Sequence, residues 1–223
     1  MSRLVLLRHG ESTANADDSF AGWLDVPLTR RGRAQAAAAG RGLAGLRPAA
    51  VHTSVLDRAV RTARLMSAAA GWDAPLRPDW RLNERHYGAL QGLDKDGARR
   101  RYGTADVEAW RRSTDVAPPP ATAQQLARQL ADPRYAHDPR ARLIAAESLG
   151  DVAQRMAPYW RAVLQPELAR GRAIVVVSHG NALRVLVHLV TGLPLEEAAQ
   201  LPMPTATPVM APALALSDPP PWP

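Results

Sequence analysis

Short apolar runs that stop at polar residues form the framework of the chain. Residues 4–7 are apolar and lead into Arg-His-Gly, and residues 173–177 are apolar and lead into Ser-His-Gly. A run of this length, bounded by polar residues and glycine, is typical of a buried strand that opens into a loop. In an open α/β sheet, ligands bind outside the carboxyl ends of such strands. If the two strands are neighbours, the His9 and His179 imidazoles face one another.

The pattern between these runs alternates helices with a further strand. Thr29 is a candidate N-cap for an alanine-rich helix over 30–46, and residues 49–53 predict a second strand. The remaining expected elements are an ordered loop over 80–92, helices at 95–102, 104–112, 122–131, 148 onward and 182–190, and a short edge strand near Val209. This order predicts an α/β fold, a three-layer sandwich whose mostly parallel central sheet carries helices on both faces.

A capping-box pattern follows the second predicted strand. Ser54 and Asp57 have the spacing of a hydroxyl and an acid at a helix start. The helix that they predict has Arg58 in its first turn. Arg58 is therefore expected at the same sheet edge as His9.

The length of 223 residues fits a single domain over 1–223. Residues 121–145 are polar, arginine-rich and interrupted by Pro133 and Pro139. We interpret the segment at about 94–146 as a lid-like insertion. A proline-rich C-terminal tail at about 202–223 is expected to be mobile.

Composition narrows the function classes. The chain has no cysteine, which excludes disulfides, thiolate metal sites and cysteine nucleophiles. The net charge is +7, but the arginines are spread along the chain, which argues against nucleic acid as the partner. No apolar run approaches the ~20 residues of a membrane span, and Arg8 interrupts the first run too early for a signal peptide. We expect a cytoplasmic protein with a small-molecule ligand and no membrane partner; the sequence leaves open whether it is a homo-oligomer.

His9 is the strongest candidate for chemistry. Taken alone, a histidine at a strand end is as often a capping residue as a nucleophile. The residues expected near it favour the nucleophile, because Arg8, Arg58 and His179 all fall at predicted strand exits or helix starts. An imidazole can attack phosphorus, and guanidiniums suit the charge of a transferring phosphoryl group. The helix start after Gly180 also favours an anion.

Other polar residues have weaker cases alone. Glu84 is either a solvated acid or a general acid/base near the phosphoryl acceptor. Lys95, Arg111 and Arg112 are separately solvated charges, but together they could hold a carboxylate or a second phosphate. His188 lies in an apolar helix and is interpreted as a core histidine.

These motifs together identify a resemblance. The stretch 7–12, Leu-Arg-His-Gly-Glu-Ser, resembles the signature of the histidine phosphatase superfamily. The longer match, from residue 1 to about 193, is to its cofactor-dependent phosphoglycerate mutase branch. The most specific parts of that match are Leu-Asn-Glu-Arg-His-Tyr-Gly at 82–88 and the arginine pair at 111–112.

The resemblance implies a set of roles. It implies that His9 is the phosphorylated nucleophile, that Arg8, Arg58 and His179 hold the phosphoryl group, and that Glu84 transfers the proton. The residues that it implies around the phosphoglycerate are Arg8, Ser12, Asn15, Ala21, Gly22, Arg58, Glu84, Tyr87, Lys95, Arg111, Arg112, Gly180 and Asn181. It also implies priming by 2,3-bisphosphoglycerate, no metal, and interconversion of 3- and 2-phosphoglycerate in glycolysis and gluconeogenesis.

The chain also departs from the family. Ala21 stands where the family usually has threonine, so one hydroxyl contact to the substrate is expected to be missing, and residues 121–146 match weakly. Two other functions are weighed against the mutase. One is a phosphatase of the same superfamily that lets water take the phosphoryl group from a small metabolite. The other is a catalytically weak protein that binds a phosphorylated ligand.

Overall fold

A five-stranded sheet lies at the centre of the molecule. The computed structural model describes residues 3–211, except the side chains of Arg112 and Ala211. The strands are β1 (Arg3–Arg8), β2 (Ala50–Thr53), β3 (Leu76–Pro78), β4 (Ala173–Ser178) and β5 (Val209–Ala211). They are ordered β3-β2-β4-β1-β5, and all neighbours are parallel except β1 and β5. The strands β1 and β4 are neighbours, which is the condition under which the sequence places the two imidazoles face to face, and the edge strand predicted near Val209 is confirmed.

Helices follow most of the strands. The helices are α1 (Thr13–Ala16), α2 (Arg30–Gly42), α3 (Asp57–Ala70), α4 (Lys95–Tyr102), α5 (Thr104–Arg112), α6 (Ala123–Ala131), α7 (Pro139–Leu143), α8 (Leu149–Tyr159), α9 (Gln165–Ala169), α10 (Gly180–Thr191) and α11 (Leu195–Ala198). Short 3-10 turns are found at Trp80–Leu82, Gly88–Leu90 and Pro133–Tyr135, and a π-helical turn, Trp160–Leu164, joins α8 to α9. No helix within residues 3–211 is long and apolar enough to cross a membrane.

Two hydrophobic cores lie on opposite faces of the sheet. Because successive strand residues point to opposite faces, Leu4 and Leu6 pack with α8 and α10, whereas Val5 and Leu7 pack with α2 and α3. The same alternation holds in β4. The sheet is therefore the middle layer of three, as the pattern of apolar runs predicted.

Two predicted helix boundaries are wrong. The helix expected over 30–46 ends at Gly42, and Leu43 is its C-cap. Glycines at its C-terminal end weaken the helix, and the chain turns there so that Leu46 is buried against the sheet. The capping box expected at Ser54 is also absent, because α3 begins at Asp57 with Leu56 as N-cap and no side-chain cap bond.

The proline-rich tail begins along β1. The Ala206 N–H donates to the Arg8 carbonyl at 2.8 Å, and β5 pairs with residues 4–6. Residues 212–223 lie outside the described residues. The mobility of the tail at about 202–223 and the lid-like character of about 94–146 stay predictions.

Candidate active site

The carboxyl ends of β1 and β4 bring two histidines together. Arg8 is in register with Ser178, and the His9 N–H donates to the Ser178 carbonyl at 2.9 Å. The two histidines follow these residues, and the centroids of the His9 and His179 rings lie 5.0 Å apart with their planes at 60°. His9 is at the floor of a cavity of about 420 Å³.

Hydrogen bonding decides which nitrogen of His9 can react. Its Nδ1 lies 2.7 Å from the Gly10 carbonyl oxygen, which can only accept, so Nδ1 carries the proton. The lone pair is then on Nε2. Burial lowers the pKa of His9 well below its usual value, and the charges of Arg58 and Arg8 lower it further. His9 is therefore a neutral imidazole with a free lone pair, the form that a nucleophile requires.

Arg58 holds a fixed positive charge beside His9. It is buried in the first turn of α3, and its two Nη atoms donate to the Leu24 and Gly22 carbonyls at 2.8 and 2.7 Å. Burial lowers its pKa to about 10, which leaves the guanidinium charged at neutral pH. A Cβ on Gly22, whose φ is +49°, would lie 2.0 Å from Gln91 Oε1, so this close approach requires glycine.

Arg8 provides a second charge at the same strand end. Its Nη1 donates to the Met203 carbonyl at 2.9 Å, which anchors the guanidinium from the C-terminal side of the chain. Its Nε is buried without a hydrogen-bond partner among the described residues. Arg8 therefore keeps donor capacity for an anion.

His179 packs against the His9 ring and is the N-cap of α10. It is fully buried, and burial, together with Arg58, lowers its pKa well below the usual value. Gly180 and Asn181 begin the helix and line the cavity. The first backbone N–H groups of a helix have no partner within it, so this end of α10 favours an anion.

The loop that carries Glu84 is held by side chains that donate to its backbone. Trp23 Nε1 donates to the Glu84 carbonyl at 2.6 Å, and Arg155 Nη2 donates to it at 3.2 Å. Arg155 also forms a buried salt bridge with Glu147 at 2.6 Å. The Glu84 carboxylate lines the cavity, where its Oε1 accepts from the Arg85 N–H at 2.8 Å. The backbone of Glu84 is thus fixed while its carboxylate faces the site.

The outer wall comes from α1, the turn after it, and the helices α4 and α5. Ser12 and Asn15 line the cavity and are joined in the capping box that begins α1. Lys95 and Arg111 line it from α4 and α5, where they pair with Asp18 and Glu108. Tyr87 completes the wall, and its hydroxyl accepts from Asn181 Nδ2 at 2.9 Å.

The structure places nearly all of the predicted residues around one space. The predicted residues that line the cavity are Arg8, His9, Ser12, Asn15, Ala21, Gly22, Arg58, Glu84, Tyr87, Lys95, Arg111, Gly180 and Asn181. The His179 ring lies against the His9 ring. The side chain of Arg112 is outside the described part of the structure. Their roles in binding and catalysis stay predictions.

Arg184 is the main cavity residue that the sequence reasoning missed. It lies four residues after Gly180, on the same face of α10, and its Nη1 is 3.4 Å from Asn181 Oδ1. The helical spacing of these residues is the signal that could have found it. Within residues 3–211, no group of three or more histidine, aspartate or glutamate side chains is placed to hold a metal ion.

Comparisons with known proteins agree with this geometry. The family model of the histidine phosphatase superfamily (branch 1) matches residues 4–132 and 121–210. The chain is 47% identical over 214 residues to a 2,3-bisphosphoglycerate-dependent phosphoglycerate mutase of Thermobifida fusca, covering 94% of this chain and 86% of that protein. It is also 47% identical to the enzyme of that name from Mycobacterium leprae, over 92% and 84% of the two chains.

Solved structures of the same shape include phosphatases. A mycobacterial glucosyl-3-phosphoglycerate phosphatase complexed with VO3 superposes with a TM-score of 0.73 at 30% identity, covering 93% of this chain and 91% of that one. Bacillus stearothermophilus YhfR superposes with a TM-score of 0.72 at 25% identity, covering 94% and 90%.

Proposed function

The chain belongs to the histidine phosphatase superfamily, and from this membership we propose that it interconverts 3-phosphoglycerate and 2-phosphoglycerate through a phosphorylated His9. In this proposal it is an isomerase of glycolysis and gluconeogenesis that depends on 2,3-bisphosphoglycerate. The observation that carries the proposal is the placement of a neutral His9, 5.0 Å from His179 between ring centroids, beneath a cavity lined by cations. The 47% identity to mutases over nearly the whole chain favours this reaction over the phosphatase.

The charges of the cavity fit a phosphoglycerate that carries two phosphates. The cations that line it are Arg8, Arg58, Lys95, Arg111 and Arg184. Glu84 contributes a carboxylate to the lining, and Asp18 and Glu108 pair with Lys95 and Arg111, so the cations outnumber these three acids. A volume of about 420 Å³ lies within the range of small-molecule sites. When bound, 2,3-bisphosphoglycerate would supply the phosphoryl group that primes His9.

His9 and its neighbours have separate roles in the phosphoryl transfer. The Nε2 lone pair of His9 forms a bond to phosphorus while the bond between phosphorus and the leaving hydroxyl oxygen breaks. The Nδ1–H bond to the Gly10 carbonyl stabilises the positive charge that develops on the imidazole. Arg8 and Arg58 neutralise the charge on the phosphoryl oxygens.

We assign to Glu84 the transfer of the proton to and from the reacting hydroxyl. Its carboxyl group gives a proton to the leaving oxygen when His9 is phosphorylated, and its carboxylate takes the proton from the attacking hydroxyl when the phosphoryl group returns. The bonds from Trp23 and Arg155 to the Glu84 carbonyl hold the carboxylate in range. Lys95 and Arg111 would retain the phosphoglycerate while it turns between the two transfers.

The test is a phosphoenzyme experiment with a matched control. The parent protein is incubated with radiolabelled 2,3-bisphosphoglycerate, and acid-labile label on the protein is measured alongside conversion of 3-phosphoglycerate. His9→Gln is expected to lose both, because it removes the imidazole whose Nε2 supplies the reacting lone pair. His137→Gln, a change at an exposed histidine in the insertion, is expected to retain both.

The outcomes separate the candidate functions. Conversion that requires the priming bisphosphate supports the mutase. Phosphate release without isomerisation would assign the phosphatase reaction instead. Absence of both turnover and label in the parent would leave only ligand binding, and label that persists in His9→Gln would move the nucleophile to another residue.

A further inference from the structure

Ser54 contacts the buried side of His179. It directly follows β2, and its Oγ lies 2.7 Å from His179 Nε2. Both side chains are fully buried. Because β2 and β4 are parallel neighbours with Thr53 opposite Val177, the residues that leave the two strands meet at the same sheet edge. The Ser54 hydroxyl, which the sequence pattern suggested as a helix cap, therefore forms a hydrogen bond with the imidazole instead.

The bonds of the Ser54 hydroxyl decide where its proton lies. The Oγ accepts from the Leu56 N–H at 3.3 Å, and among residues 3–211 its remaining polar contact is His179 Nε2. If Nε2 carried the imidazole proton, the hydroxyl hydrogen would be buried without an acceptor, which costs about 1–3 kcal/mol. The favoured arrangement has the hydroxyl donating to an Nε2 lone pair.

The second ring nitrogen of His179 then carries the proton. A neutral imidazole that accepts at Nε2 is protonated at Nδ1. This Nδ1 is buried and has no hydrogen-bond partner among the described residues. Burial and the neighbouring Arg58 lower the pKa of His179, which keeps the ring neutral. One N–H donor, buried next to His9, is therefore left for a ligand.

We propose that Ser54 is a positioning residue that selects the Nδ1–H tautomer of His179, so that this ring offers a donor to the phosphoryl group on His9. The inference rests on the proposed phosphorylation of His9. In the other tautomer, the Nδ1 lone pair would repel the phosphoryl oxygens. Ser54 acts through His179 and touches no reacting atom itself.

The tautomer can be measured without activity. The full chain is labelled with ¹⁵N-histidine, and the ring nitrogen shifts are recorded at pH 8, where a protonated and an unprotonated nitrogen differ widely. The chain has six histidines, and His179→Gln identifies the signals of His179. The parent is expected to show a protonated Nδ1 and an unprotonated Nε2. A protonated Nε2 in the parent would overturn the proposal even if no Ser54 variant folds.

Variants then test the role of the hydroxyl. Ser54→Ala is expected to shift His179 toward a mixture of tautomers and to slow phosphorylation of His9 about tenfold. Complete loss of one such donor typically costs about 100- to 1000-fold, and a mixture retains part of the donor. Ser54→Thr, which keeps the hydroxyl, is expected to restore the Nδ1–H shift and most of the rate.

Thr191→Ala is the matched control. Thr191 accepts from the Leu193 N–H at 3.2 Å, the same two-residue turn bond that Ser54 makes with Leu56, but it lies exposed at the far end of α10. It is expected to leave both the shifts and the rate unchanged. An unchanged tautomer in Ser54→Ala would contradict the inference. Absence of phosphoenzyme in the parent would instead contradict the proposed function, whatever the tautomer.

Discussion

Individual charges in the cavity wall are opposed by nearby acids. The Lys95 ammonium pairs with the Asp18 carboxylate, and the backbone N–H of Lys95 donates to the Asp18 carbonyl at 3.1 Å. Asp18 has a φ of +48°, a left-handed conformation that aspartate and asparagine tolerate better than most residues. The carboxylate of Asp18 therefore competes with any anionic substrate for the ammonium of Lys95.

Removing this competition is expected to tighten substrate binding. Asp18→Asn keeps the left-handed turn but removes the negative charge, so KM for 3-phosphoglycerate should fall, by up to about fivefold. The effect is small because exposed ion pairs contribute about 0–1 kcal/mol, and the Asp18 side chain is 69% exposed. Steady-state kinetics at low ionic strength measure the change.

The neighbouring acid provides the control for Asp18→Asn. Asp17→Asn makes the same charge change at an exposed residue outside the cavity lining. Equal changes in KM for the two variants would show that general charge, and not release of Lys95, is responsible.

Among the larger elements, the loop over residues 82–87 depends on one buried ion pair. Arg155 on α8 donates to the carbonyls of Arg81, Asn83 and Glu84 at 2.8, 3.1 and 3.2 Å. Its partner Glu147 accepts from the His86 N–H at 2.8 Å. The pair thus satisfies the backbone of a loop that has little regular structure, and it fixes the residue proposed to transfer protons.

Breaking this pair is expected to be costly. Arg155→Met leaves the Glu147 carboxylate buried and unpaired, which should lower the free energy of unfolding by about 3–5 kcal/mol. Glu147→Gln combined with Arg155→Met removes the uncompensated charge, so the double variant should be more stable than Arg155→Met alone. Urea unfolding of the four proteins in this cycle measures the coupling.

Activity should not recover with stability in that cycle. The double variant still lacks the guanidinium that holds the Glu84 carbonyl, so kcat is expected to stay below that of the parent. A double variant with parental kcat would show that Arg155 has no part in positioning Glu84.

The elements differ in how far the sequence reveals them. The strands that carry His9 and His179 were predictable because an apolar run and the polar residues that end it are adjacent in the chain. Between residues 94 and 146, the helices α4, α5 and α6 were predicted within one residue of their bounds, whereas the short α7 was not predicted. The role of Ser54 was not, because a local pattern suggested a cap while the contact that prevails joins residues 125 positions apart. For the same reason, the bond from Arg8 to Met203 could not be read from either segment alone.

At the scale of the whole molecule, the fold buries several histidines in uncharged form. The pKa of His9, His52, His86 and His179 is lowered, in each case chiefly by burial, and that of His86 falls to about 4. His86 is satisfied as a neutral ring, because Nδ1 accepts from the Gly88 N–H at 3.0 Å and Nε2 lies 3.0 Å from Gln129 Oε1. His9 lines the cavity and His52 lies on β2 within the sheet. Protonation of these rings in acid would therefore disturb both the site and the core.

Stability is therefore expected to fall as the solution is acidified from pH 7 to pH 5. Above the unfolded histidine pKa of about 6.5, both states are neutral and stability does not depend on these groups. Below it, the unfolded chain binds protons that the folded chain excludes, so the free energy of unfolding decreases with pH down to the folded pKa. At pH 5 the loss is about 2 kcal/mol for each histidine whose folded pKa lies below 5.

Urea unfolding from pH 7.5 to 5 should show this slope, with a smaller one in His86→Gln and no change in His137→Gln. An unfolding free energy that is flat across this range would mean that the buried rings bind protons in the folded protein, which would contradict the neutral His9 on which nucleophilic attack depends.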